Sequence, residues 1–85
     1  MKSNVVTLAK ATSGEMVKIH SIPRGLIYTQ FVRFGIGEGE RVLCVERLPG
    51  GTIVLKKNRQ EIAVGHKLAE QISVVIVRME EELAA

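Results

Sequence analysis

Hydrophobic and polar positions alternate in several short runs along the chain, and each run predicts a β-strand. In the first run, Val17 and Ile19 share one face. Lys18 and His20 share the opposite face, so this strand is expected to be half-buried. Five short strands separated by tight turns predict a mainly β fold, a small antiparallel barrel. The runs are residues 15–22, 41–48, 52–57, 60–64 and 72–77.

After the first run, the spacing of apolar residues changes to that of a helix. Ile27, Phe31 and Phe34 lie at i, i+4 and i+7, which places them on one helical face. We expect a short helix of two to three turns, with both phenylalanines closing the barrel as a plug. Gly35 supplies a left-handed residue that ends the helix, and Ile36 is expected to fold back onto its last turn.

Turn residues define the later elements. Pro49-Gly50-Gly51 separates two strand-like runs and predicts a β-hairpin over residues 41–57. Residues 66–71 predict a single helical turn before the last strand, with Leu68 and Ala69 directed inward.

The chain length of 85 residues gives room for one domain. Because 46% of the residues are hydrophobic, a globular core is expected rather than disorder. We place the domain at residues 1–79, with an N-terminal arm anchored by Val5, Val6 and Leu8. Residues 80–85, which begin with three glutamates, are predicted to form a solvated acidic tail.

Catalytic chemistry has little support in this sequence. There is no aspartate, and the two histidines are far apart in the chain. A G-x-G pattern occurs within Gly35–Gly39, but it follows a helix and precedes a strand, whereas a dinucleotide-binding loop has the opposite order. We therefore predict that the chain is not an enzyme.

His20, Cys44 and His66 are the candidate metal ligands besides the glutamates. None of them has the spacing of a known ligand motif, so a structural or solvent-facing role is favoured for each. Cys44 has no second cysteine to pair with and is predicted to be a small buried hydrophobic residue. A weakly bound transition metal ion, ferrous iron or zinc, between His66 and a carboxylate stays an open alternative, and no cofactor is assigned.

Binding to a partner is the role that the residues favour, because a barrel this small has little interior for a ligand. Tyr28, Thr29, Val32 and Arg33 lie off the apolar stripe of the predicted helix and are the candidate partner-binding residues. Tyrosine and arginine are common anchors of interfaces. The alternative for Tyr28, that it closes the edge of the core, is equally supported.

The net charge of +3 underestimates how basic the body of the chain is, because Glu80–Glu82 carry three of the nine acidic groups. A nucleic-acid surface is disfavoured, since the basic residues are scattered and aromatic residues are few. No signal peptide or membrane-spanning run is evident, which favours the cytoplasm.

Taken together, several segments of the chain resemble the FeoA family, which consists of small cytoplasmic accessory proteins of bacterial ferrous iron transport. They also resemble the C-terminal module of iron-dependent repressors. The resemblance covers roughly residues 5–77. Its most specific part is the helix end and the turn that follows it. The matching segments are Gly14-Glu15, Ile19-His20-Ser21-Ile22, Phe34-Gly35-Ile36-Gly37-Glu38-Gly39, Glu40-Arg41-Val42, Pro49-Gly50-Gly51, Thr52-Ile53-Val54-Leu55, Gln60-Glu61-Ile62-Ala63-Val64-Gly65, Leu68-Ala69 and Ile72.

The resemblance implies an SH3-like barrel that binds or modulates the FeoB permease, which carries a cytoplasmic GTPase domain. Many members of the family have an arginine-rich helix, whereas this chain has Ile27-Tyr28-Thr29-Gln30 there, a departure that bears on partner choice. Two alternatives stay open: a metal-responsive regulatory module and, with less support, a nucleic-acid-binding barrel. The resemblance leaves a homo-oligomer open as well.

Overall fold

Six antiparallel strands form one sheet in the computed structural model, which describes residues 4–77. The strand order is β1-β6-β2-β3-β4-β5, so β1 and β5 lie at the two ends. The strands are β1 (Val5–Thr7), β2 (Met16–Ser21), β3 (Arg41–Arg47), β4 (Ile53–Lys57), β5 (Gln60–Val64) and β6 (Ser73–Val77). Two α-helices, α1 (Leu26–Arg33) and α2 (His66–Ala69), and a 3-10 turn (Leu8–Lys10) complete the described chain.

The prediction of five strands is wrong in number. The N-terminal arm contributes a sixth strand, in which Val5, Val6 and Thr7 pair with β6. Three residues are too few to show alternation, so the sequence pattern gave no strand there. The mainly β, antiparallel fold is confirmed, but the pairing leaves the sheet open between β1 and β5, and the SH3-like barrel stays a prediction. The predicted acidic tail, residues 80–85, lies outside the described residues.

The core lies on one face of the sheet, because alternate side chains of each strand point to that face. Val17 and Ile19 of β2 are buried there, as are Val42 and Cys44 of β3. The face assignment predicted for β2 is therefore confirmed. The other buried residues are Leu8, Ala9, Ala11, Ile22, Phe31, Ile36, Ile53, Leu55, Val64, Ala69, Ile72 and Val74.

Helix α1 ends in the turn that its sequence predicts. Gly35 has φ of +77°, and its N–H donates to Val32 O at 2.9 Å, while the N–H of Ile36 donates to Phe31 O at 2.9 Å. These two bonds are the Schellman motif, which satisfies carbonyls that the helix end leaves free. Ile36 is 1% exposed, so the fold-back of this residue is confirmed.

The predicted plug of two phenylalanines is wrong for one of them. Phe31 is buried, but Phe34 is 39% exposed. Phe34 is the C-cap residue, with φ of −87° and ψ of 5°, so it lies beyond the last residue to which helical periodicity applies. Ile36 is the second apolar residue of this segment that enters the core, two positions later in the chain.

The β3–β4 hairpin is confirmed, and its turn contacts α2. Leu48 N–H donates to Thr52 O at 2.8 Å, which closes the turn around Pro49-Gly50-Gly51. A side chain at Gly51 would meet the His66 ring, with its Cβ 2.5 Å from Nδ1. The hairpin turn and the start of α2 are therefore in close approach.

Candidate partner-binding site

The solvent-facing side of α1 carries an exposed ridge of apolar and polar side chains. Leu26, Thr29 and Val32 are spaced by three residues and so lie along one ridge of the helix, with Arg33 beside its end. All four are exposed, Leu26 to 72% and Val32 to 48%. Isolated apolar side chains are common on protein surfaces, but two on one helical ridge form a surface that a partner can cover.

Tyr28 lies beside this ridge and faces two environments. The side chain is partly buried and packs against the core. The Arg24 guanidinium lies over the ring, with its central carbon 4.2 Å from the ring centroid. This geometry is a cation–π contact. Tyr28 therefore lies at the edge of the core with a cation over its ring, and its role as an interface anchor stays a prediction.

Glu38 fixes Arg24 in that position. The two guanidinium nitrogens Nη1 and Nη2 of Arg24 donate to Oε2 and Oε1 of Glu38 at 3.0 and 3.1 Å. Glu38 Oε2 also accepts a hydrogen bond from the Ile22 backbone N–H at 3.1 Å. Donors that favour the ionised carboxylate hold the pKa of Glu38 below its usual range, through the Ile22 bond first and the Arg24 bond second. The turn after α1 is thereby tied to the loop before it.

The site combines exposed aliphatic groups, one half-buried tyrosine and two arginines. Tyrosine and arginine contribute more than most residues to interface energies, and a braced arginine loses less side-chain freedom on binding. Nothing among these side chains forms a nucleophile–base pair. The arrangement is suited to contact with another protein.

The structure keeps the three candidate metal ligands apart. His20 is exposed on β2, and Cys44 is fully buried in β3, where burial raises the pKa of its thiol and so disfavours the thiolate that binds metals. His66 begins α2, with Nε2 3.2 Å from Oε2 of Glu70. Within residues 4–77, no three His, Cys, Asp or Glu side chains are grouped as a metal site. Metal binding by these residues stays a prediction.

Sequence reasoning identified Thr29, Val32 and Arg33 as an exposed set but missed three further contributors. Leu26, at the first position of α1, is not among the predicted partner-binding residues. The Arg24–Glu38 pair could not be found by periodicity, because the two residues are separated by 14 positions and meet only through the fold. The one available signal was Glu38 itself, a charged residue between two turn glycines.

Comparison with known proteins places this chain in a family. The sequence profile of the FeoA domain matches residues 6–76. The chain belongs to the FeoA domain family. A crystal structure of an iron uptake regulatory protein (FeoA) is 26% identical, with a TM-score of 0.71, and the alignment covers 86% of this chain and 99% of that one. None of the curated proteins matches this FeoA-domain sequence.

Two further solved structures share the fold of this FeoA-domain chain. The NMR structure of a FeoA-like protein from Clostridium acetobutylicum has a TM-score of 0.72 at 19% identity, over 91% of this chain and 92% of that one. The crystal structure of ScaR with bound Cd²⁺ has a TM-score of 0.70 at 20% identity, over 82% of this chain but only 35% of ScaR. At these identities the likeness concerns the fold alone. Among residues 4–77, no helix has the length and apolar character needed to cross a bilayer.

Proposed function

We propose that this chain is a non-catalytic accessory protein of ferrous iron transport that acts on the cytoplasmic side of the membrane. Its partner is the GTPase-containing cytoplasmic region of a FeoB-type permease. Membership of the FeoA domain family supports the link to iron transport. The docking surface is the outer side of α1.

The observation that carries this proposal is the exposed ridge of α1 beside a braced arginine. Leu26 and Val32 expose apolar surface that contributes to stability only if something covers it. Arg24 is held by Glu38 above Tyr28, so its position is set before any partner arrives. An apolar centre with polar and cationic groups around it is the usual composition of a protein interface.

The test is a calorimetric titration of this chain with the cytoplasmic region of FeoB, with and without guanine nucleotide. We expect binding to the unmodified chain. Val32→Glu places a charge in the centre of the ridge, and we expect it to weaken binding about tenfold or more, because a buried unpaired charge costs more than about 1.4 kcal/mol. Val32 is exposed, so the fold itself should tolerate the change.

Ala63→Glu is the matched control, because it adds the same charge at an exposed position of β5, outside α1. It should bind as the unmodified chain does. Absence of measurable binding, or equal losses in Val32→Glu and Ala63→Glu, would count against α1 as the docking surface. Normal iron uptake in cells that lack the gene would count against the transport role itself.

A further inference from the structure

The sheet face opposite the core contains a basic groove that the α1 surface does not include. It is an open depression of about 350 Å³ between the middle strands. The residues that line it are Met16, Arg41, Leu43, Lys56, Lys57 and Asn58. Three of the six are cations, and none is acidic.

Strand register explains why apolar and cationic side chains meet in this groove. Met16 of β2 is paired with Leu43 of β3, and Leu43 is paired with Lys56 of β4. Paired residues of neighbouring strands point to the same face, so these three form one row. Val17, Val42 and the other core residues have the opposite parity and point away from the groove.

The floor of the groove is apolar and incompletely covered. Met16 is 37% exposed and Leu43 is half-buried. Lys57 is ion-paired with Glu40. Lys56 is exposed, with Glu61 opposite it on β5. The groove therefore offers positive charge beside apolar surface.

We propose that this groove binds an acidic peptide segment of a partner protein, in which carboxylates lie next to aliphatic side chains. The carboxylates would pair with Lys56, and the aliphatic groups would cover Met16 and Leu43. Complementary charge steers such a segment to the site, and burial of the apolar floor retains it. This surface lies on the other side of the sheet from the core and does not depend on α1.

Nucleic acid fits the groove less well, although it is also anionic. Proteins that bind single strands stack the bases on aromatic side chains. The three aromatic residues of this chain, Tyr28, Phe31 and Phe34, are all in α1 or at its end, so the groove has no stacking surface. A lipid headgroup also supplies negative charge, but it brings no apolar side chain to a concave floor of this size.

Titration with short synthetic peptides, followed by NMR of the labelled full chain, tests this proposal. The probe is a glutamate-rich peptide that carries leucines. We expect shifts of the Met16, Leu43 and Lys56 signals, and binding that weakens as salt is added. Replacing the glutamates by glutamines, or the leucines by serines, should each reduce the affinity.

Lys56→Glu should weaken binding of the glutamate-rich peptide about tenfold, because it replaces an attraction by a repulsion of similar size. Lys67→Glu is the matched control: it makes the same charge change at an exposed residue of α2 and should bind normally. Met16→Ser should also weaken binding while leaving the core intact. Equal losses in Lys56→Glu and Lys67→Glu would overturn the proposal.

The chain has its own acidic run, Glu80–Glu82, which could compete with the probe. The titration is therefore repeated on a chain with glutamines at these three positions. If either chain binds the peptide and Lys56→Glu abolishes that binding, the proposal is supported. Failure of both chains to bind the peptide would overturn it, as would tighter, groove-centred binding of a single-stranded oligonucleotide or of vesicles that contain phosphatidylglycerol.

Discussion

Glu38 shows how a single turn residue positions the candidate site. It lies between two glycines, in a segment whose glycine pattern resembles a phosphate-binding loop on first reading. The structure gives the segment a different role, because the Glu38 carboxylate holds both the Ile22 N–H and the Arg24 guanidinium. The Glu38 carboxylate is thus part of the turn itself, and it connects the segment after α1 to the segment before it.

Glu38→Gln should make the protein less sensitive to acid. The pKa of Glu38 lies below its ordinary value of 4.5, because the Ile22 N–H and Arg24 favour the ionised form. The unfolded chain therefore binds this proton more readily than the folded chain does. The resulting stabilisation is fully present above pH 4.5 and is lost as the pH falls from there through the lower folded value.

Urea unfolding from about pH 7 to about pH 3 measures this effect. Glu38→Gln should have a lower free energy of unfolding at neutral pH and a shallower decline in acid than the unmodified chain. Glu61→Gln, on β5, is the control for removing one carboxylate. If the two variants have parallel pH profiles, the Glu38 contacts do not contribute to stability.

Among the strands, the sequence predicted those with enough residues to show a period. The five predicted strands all exist, and β5 has the bounds that alternation gave it. β1 was missed because three residues show no period and because its partner, β6, is about 70 positions away, a pairing that only tertiary structure determines. The burial predicted for Phe34 is wrong for the opposite reason, because the helical period was extended one residue past the end of α1.

In the candidate site, too, the residues that belong to a periodic pattern were predictable and the others were not. Thr29, Val32 and Arg33 follow from the helical period, because a residue off the apolar stripe faces solvent. Arg24, Glu38 and the groove of Met16, Leu43 and Lys56 depend on contacts between separate elements. No local pattern in the sequence contains that information.

Gly51→Ala tests whether the hairpin turn and α2 are fitted to each other. Gly50 and Gly51 both have positive φ, +89° and +92°, so alanine at either position carries a backbone strain of about 1 kcal/mol. Only at Gly51 does the new Cβ meet another residue, with the His66 Nδ1, Cγ and Cβ atoms at 2.5, 2.9 and 3.1 Å. We expect Gly51→Ala to lose a further ~1–3 kcal/mol of unfolding free energy relative to Gly50→Ala.

The pair Gly50→Ala and Gly51→Ala is compared by chemical denaturation. Combining Gly51→Ala with His66→Ala should recover most of the additional loss, because the ring that the new Cβ meets is then absent. Equal stabilities of the two single variants would mean that the turn and α2 do not constrain each other.

The N-terminal segment closes the core from one end. Leu8 and Ala11 are completely buried, although they lie in a 3-10 turn and the loop after it. The Leu8 N–H donates to Ile72 O at 2.8 Å, next to the start of β6. Arg47, at the end of β3, reaches the same segment from the central hairpin. The first and last parts of the described chain are therefore joined to its middle.

Arg47→Met should loosen this segment more than any other part of the fold. Nη1 of Arg47 donates to Ala9 O at 2.7 Å and to Ala11 O at 3.2 Å. Both alanines are buried, so methionine would keep the aliphatic contact but leave their carbonyls without this donor. We expect a loss of about 1–2 kcal/mol of unfolding free energy.

Hydrogen exchange shows whether that loss is local or global. The amides of Leu8 and Ala11 donate to Ile72 O and Leu8 O, and they should exchange faster in Arg47→Met, while the central amides of β2 and β3 change only with global stability. Arg47→Lys keeps the charge but not the planar donor geometry. Its exchange rates at Leu8 and Ala11 should therefore lie between those of the unmodified chain and those of Arg47→Met. Arg59→Met removes an exposed arginine from the β4–β5 turn and should leave both amides unchanged. Equal exchange in Arg47→Met and Arg59→Met would show that core packing of Leu8 and Ala11, rather than Arg47, holds the N-terminal segment in place.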